Sequence, residues 1–201
     1  MHQSEYLLRK VAKLPNRLQV AYAAACAEHV LPLFEHLRGG EVLRKALEVA
    51  WRYAFGQDVP FEELRLADEA ASAVIPHIDQ DPSEEANLSM SAGVNVLETL
   101  DSVKDGSPAA AVRAATGALS ALSIASQMAD PSLVDNFNDV KDLKTPEAIL
   151  PKVLEEWNVQ EEMLSQLGSS KLPTVGQDWK QKHRQRGAET LKWWTTVKGR
   201  A

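Results

Sequence analysis

The stretch EVLRKALEVAWRYA, residues 41–54, decides the fold class. Leu43, Ala46, Leu47, Ala50, Trp51 and Ala54 recur at three-to-four spacing and form one apolar stripe, which is the period of an α-helix and not of a strand. On the other side Glu41 faces Lys45 and Glu48 faces Arg52 at i,i+4. That acid-first orientation supports an isolated helix by about 0.3–0.5 kcal/mol per pair. Gly39 and Gly40 precede the stretch and Gly56 follows it, so both ends are marked.

The same signals repeat outward. Upstream, a short helix from Ser4 ends near Lys13, before Leu14-Pro15. Asn16 then caps a helix whose stripe is Leu18, Tyr22, Ala25, Cys26, His29 and Leu33, and Pro32 predicts a kink or break in it. Downstream, Phe61 to His77 buries Leu64, Ala67, Ala71, Val74 and Ile78. Asp81-Pro82-Ser83-Glu84-Glu85 starts a helix running to about Lys104, since proline and acids suit a first turn. After the break Asp105-Gly106-Ser107-Pro108 comes an Ala/Ser-rich helix from Ala109 to Ala129, and these two helices read as an antiparallel pair. Asp130 to Lys144 reads as a loop, and Thr145-Pro146-Glu147 caps a last long helix carrying Leu150, Val153, Leu154, Trp157, Gln160, Leu164 and Leu167. The expectation is an all-α, single-domain bundle of six to eight helices over residues 1–168, with Trp51 and Trp157 largely buried. Residues 169–201 form a basic, Trp-containing C-terminal extension, entered through a linker from Ser169 to Gly176, in which Gly187 interrupts any helix.

With 201 residues, 44% of them hydrophobic and 25% charged, a domain of this size buries roughly 70% of its extended-chain surface without staples. The single cysteine, Cys26, excludes an internal disulfide. The start of the chain lacks a secretory layout, and no run approaches the ~20 apolar residues of a membrane span, so a cytoplasmic location is expected. The net charge of -6 conceals a division: residues 1–168 carry 14 Lys/Arg against 26 Asp/Glu, whereas residues 169–201 carry 8 against 2. Residues 58–105 hold 12 acids and two bases. A solvated face normally mixes its signs, so this block points to a partner with a basic surface. Its candidate contacts are Asp58, Glu62, Glu63, Asp68, Glu69, Asp79, Asp81, Glu84 and Glu85. The basic tail, with Trp179, Trp193 and Trp194, is expected to pack on the helical body in preference to nucleic acid or lipid.

Catalytic signatures are missing. There is no phosphate-binding glycine loop, nucleophile elbow, His-Glu-x-x-His, cysteine pair or Glu-x-x-His. His29 and His36 lie on one helix face about 10 Å apart along the axis, too far to share a metal. His29 therefore reads as a core histidine and His36 as a surface one, and no metal or cofactor is expected. Cys26 reads as a small buried hydrophobe. Gln160, on a buried side, requires hydrogen-bond partners and reads as part of a structural network.

The segment Leu154-Glu155-Glu156-Trp157-Asn158-Val159-Gln160-Glu161-Glu162 resembles the Glu-Trp-x-x-Gln signature of the bacterial YjaG-like family of unknown function (DUF416). The likeness extends through Glu28 and Pro32, the helix bearing Trp51 and the Ala/Ser-rich pair, over about residues 7–168. It implies an all-helical single domain and brings no catalytic residues; its matching positions are Glu28, Pro32, Trp51, Glu156, Trp157 and Gln160. Residues 25–35 are also similar to segments of helical immunity proteins encoded beside bacterial polymorphic toxins. This second resemblance implies a non-enzymatic module that binds and neutralises a cognate toxin, with a basic nuclease domain as the electrostatically matched partner. The alternative is a small-molecule or metal-dependent helical enzyme with a site between helices near Glu28, His29 and Gln160.

Overall fold

The structure, a computed structural model, describes residues 3–38, 40–77, 79–130, 150–169 and 175–199. Among them the chain forms eight helices and no strand: α1 (Gln3–Val11), α2 (Asn16–Arg38), α3 (Glu41–Ala54), α4 (Phe61–Val74), α5 (Glu84–Asp105), α6 (Pro108–Ala129), α7 (Pro151–Leu167) and α8 (Gln177–Lys198). The stretch that decides the fold class is α3, ending where Gly56 takes φ +86°, a left-handed value that favours glycine. Ser83 caps α5 by accepting from the Ala86 N–H at 3.2 Å, and Pro108 opens α6. The helix-start signal at Thr145-Pro146-Glu147, nearly all of the expected loop after Asp130, and Ile78 lie outside the described residues. As described, α7 begins at Pro151.

The centre of the fold is α2. Every residue from Leu18 to Phe34 is buried, so this helix has no solvent face and the expected stripe is only part of what it buries. Its run Ala23-Ala24-Ala25-Cys26-Ala27 has short side chains, which let neighbours approach closely. It packs against α3, α5, α6 and α8, and α5 lies along α6 as the expected pair. α2 runs through Pro32 without interruption. Trp51 is fully buried, whereas Trp157 is only half-buried, its ring 5.9 Å from that of Tyr6. α4 is the loosest member. It buries only Leu64 and Ala71, and Val74, expected inside, is exposed. The long apolar α6 meets the length and hydropathy of a membrane span, but 67% of its most apolar window is buried inside the bundle. It is a core helix here.

The C-terminal segment corrects the sequence reading. Gly187 does not interrupt a helix but sits in the middle of the 22-residue α8, which lies along α2. A proline lacks an N–H, so Pro32 leaves the Glu28 carbonyl without its usual helical donor, and Gly187 packs against that same carbonyl. A Cβ on Gly187 would overlap the Glu28 oxygen and reach 3.0 Å from Pro32 Cγ. The tail tryptophans pack as expected: Trp194 is buried, edge-on to His36 at 5.6 Å, and Trp179 stands edge-on to His183 at 4.7 Å. Gly187→Ala should therefore lift α8 from α2 and cost about 1–3 kcal/mol, although alanine is the better helix former. Urea denaturation followed by Trp fluorescence measures this, and an unchanged midpoint would mean that the close approach carries no stability.

Candidate functional site

Two neighbouring polar residues in the buried stretch of α2 organise the site. Both Glu28 and His29 are fully buried. A carboxylate so placed must find charge and hydrogen bonds inside the protein. Glu28 is met from two directions. From α3, the Trp51 indole N–H donates to Oε1 at 3.0 Å and Arg44 reaches Oε2; from α8, Arg184 Nε donates to Oε1 at 3.2 Å. The same arginines extend the network outward. Arg44 makes a two-pronged contact with Glu35, at 2.8 and 2.9 Å, and Arg184 joins Lys180 on Glu48.

His29 is met by α7 and α8. Its Nδ1 lies 2.8 Å from Glu156 Oε1 and its Nε2 lies 2.8 Å from Nδ1 of His183, with the two rings 5.0 Å apart. Glu156 also accepts from Gln160 at 3.2 Å and from Arg186 Nε at 3.4 Å, while Arg186 reaches Glu155 at 3.0 Å. Gln160 donates in addition to the Ala115 carbonyl at 3.0 Å, tying the site to α6. The result is a buried relay, Glu156 to His29 to His183, beside an ion cluster centred on Glu28.

Electrostatics follow from burial. Burial pushes the Glu156 carboxyl up, but His29, then Arg186 and Gln160, outweigh it and hold the group below the usual carboxylate range. For His183, burial and then the neighbouring His29, Lys182 and Arg186 all oppose a further proton, and its pKa is pushed down to about 2. It stays neutral at ordinary pH. Burial also pushes up the Cys26 thiol, which suits a small buried hydrophobe.

The six positions carried by the DUF416 resemblance largely converge here. Glu28 and Trp51 touch, Glu156 and Gln160 touch, and Pro32 lies under Gly187; Trp157 stands outside, against Tyr6. Of the residues of the alternative enzymatic reading, His29 and Gln160 both meet Glu156, while Glu28 is held by Trp51, Arg44 and Arg184. Among the described residues no group of three His, Cys, Asp or Glu is arranged to hold a metal. Sequence reasoning missed His183, Arg184 and Arg186. Their signal was the spacing of Lys180, His183 and Gly187, which shares the three-and-four period of the buried Thr190 and Trp194.

The acidic block is elsewhere, along α4 and the start of α5, and much of it is paired. Glu62 and Glu69 hold Arg65, Glu63 holds Arg52, Asp68 holds Lys104, Asp81 holds Arg38, Glu85 holds Lys198, and Asp79 lies 3.3 Å from His77. Asp58 and Glu84 have no such partner among the described residues.

No protein-family model and no curated protein matches the chain. A solved structure does: the crystal structure of a DUF416 family protein from Shewanella baltica OS155, with a TM-score of 0.65 and 16% identity, covering 91% of this chain and 93% of that one. The all-α fold is thus shared with a DUF416 family protein over nearly the whole length.

Two outcomes test the site. Arg184→Met, which removes the α8 cation on Glu28, should cost about 2 kcal/mol in chemical denaturation, whereas Arg65→Met on the surface should stay within about 0.5 kcal/mol. The second concerns pH. Because the folded pKa of His183 lies far below that of the unfolded chain, the unfolded state binds the extra proton first, and stability falls as pH drops below about 6.5, by up to about 1.4 kcal/mol per unit. Glu156, whose carboxyl is held below its ordinary value, adds its loss at lower pH, from the ordinary carboxylate range downward. His183→Asn should flatten the slope between about pH 6.5 and 4.5 while leaving the more acidic limb; an unaltered slope would exclude His183 as its source.

Proposed function

We propose that the protein is a non-enzymatic, cytoplasmic binding module related to the DUF416 family, which docks a protein of basic surface through α4 and the start of α5. The observation that carries this reading is the outer face of α4. Phe61 is 73% exposed and Leu66 52% exposed; the same helix carries Glu62 and Glu69, Asp58 precedes it, and Glu84 opens α5. A large exposed aromatic on an acidic helix combines an apolar anchor with charge that steers a cationic partner. In its finer form the proposal is an immunity protein that neutralises a cognate bacterial toxin, with a basic nuclease domain as the best electrostatic match. The buried relay supports the non-enzymatic side, since a histidine held neutral down to about pH 2 is poorly matched to proton transfer near neutrality.

The charge and the anchor act on different rate constants. Converting Asp58, Glu62, Glu69 and Glu84 to Lys should slow association by about tenfold or more at low salt and flatten its salt dependence. Phe61→Ala should instead speed dissociation. Both variants should keep the denaturation midpoint of the parent within about 0.5 kcal/mol. The measurement is stopped-flow or surface-plasmon kinetics with the partner obtained by crosslinking and mass spectrometry from the native host. Unchanged rates in both variants would show that this face only solvates the protein.

A further inference from the structure

Between α7 and α8 lies a cleft of about 310 Å³, at the lower end of the range for small-molecule sites. Val159 and Met163 of α7 give it an apolar wall, and His183 and Arg186 of α8 line it opposite. Lys182 of α8, also lining it, faces Glu162 of α7 at 3.9 Å, longer than a direct hydrogen bond; Glu162 accepts from Gln166 at 2.6 Å, and its remaining lone pairs and the Lys182 ammonium keep hydrogen-bonding capacity for a third party. The buried relay ends in this wall. His183 is 1% exposed, its Nδ1 is held by His29, and its Nε2, on the ring edge turned away from His29, is buried and has no hydrogen-bond partner. A buried polar atom left unmet requires an explanation.

The relay also says what kind of atom would meet it. Glu156 accepts from His29 Nδ1, so two proton arrangements remain. With His29 neutral, its Nε2 accepts from His183 Nδ1, and His183 Nε2 is a lone pair that wants a donor. With His29 charged, its Nε2 donates, and His183 Nε2 carries a proton that wants an acceptor. A ligand bearing both an ammonium and a carboxylate satisfies either arrangement. We propose that the cleft between α7 and α8 binds a small aliphatic amino acid, its charged ends between Glu162, Lys182 and His183 and its side chain against Val159 and Met163. This site is separate from the α4 face and does not rest on the docking reading.

The test is isothermal titration calorimetry on the full chain near neutral pH with L-leucine, L-valine and L-methionine, beside acetate and butylamine, which carry one charged end each. At least one amino acid should bind with a Kd below about 1 mM, and the single-ended probes about tenfold more weakly or worse. Binding should shift the His183 imidazole resonances in ¹⁵N NMR. Val159→Trp, which fills the cleft, should abolish binding. The exposed changes Glu162→Ala and Lys182→Ala should each weaken it about tenfold without moving the melting temperature. The proposal is overturned if no amino acid binds up to about 10 mM, if acetate or butylamine binds as well as the amino acids, if the exposed variants bind like the parent, or if His183 does not respond.

Discussion

Two carboxylates buried away from water, Glu28 on α2 and Glu156 on α7, set the terms for the rest of the structure. Each would cost several kcal/mol if left alone in an interior, and neither has enough partners on its own helix. Arg44 and Trp51 on α3 meet part of the demand of Glu28. Arg184 of α8 meets the remainder, Arg186 of α8 meets Glu156, and His183 completes the contact on His29. The opposite charges of the body and the tail, conspicuous in the sequence, are in part reconciled inside the molecule, and Lys180, Arg184 and Arg186 are engaged before any outside partner is considered.

Buried ion clusters of this kind are weak grounds for high stability, because desolvation offsets most of their attraction. What they define well is register. Lys180, His183, Arg184 and Arg186 each have a specific partner, and Gly187 must sit over the one α2 carbonyl that Pro32 leaves free. A shift of α8 by one residue would place a side chain where only glycine fits. Proline and glycine, read from sequence as breaks, thus form a matched contact between two continuous helices.

The fold was legible where burial is one-sided. Residues 41–54 show a clean stripe, and that helix has the extent read from it. α2 was harder because a helix buried all round has no polar face to give it contrast, and only its small residues hinted at a crowded centre. α8 was misread because its buried positions are Lys180, His183, Gly187 and Thr190 as much as tryptophan, so a hydrophobic period is absent although a three-and-four period is present. The site was legible only in part: the enzymatic alternative grouped Glu28, His29 and Gln160 but not their partners, since His29 meets Glu156 across 127 positions and Arg184 meets Glu28 across 156, and one sequence offers no measure of such distances. The resemblance to the DUF416 pattern marked Glu28, Trp51, Glu156 and Gln160, four members of the network, without saying that they meet.

The separation between Glu28 and Arg184 also has a consequence in time. At translation speeds of roughly 5–20 residues per second, the 156 positions between them take about 8–30 s to synthesise. Throughout that interval the nascent chain holds the helix destined for the centre, with its glutamate, and none of the α8 cations that balance it. Packing of α2 into a dry interior is therefore disfavoured until α8 leaves the ribosome. Completion of the core is tied to synthesis of α8, and a polypeptide cut short before it would present an open, charged centre to the cell's quality-control machinery.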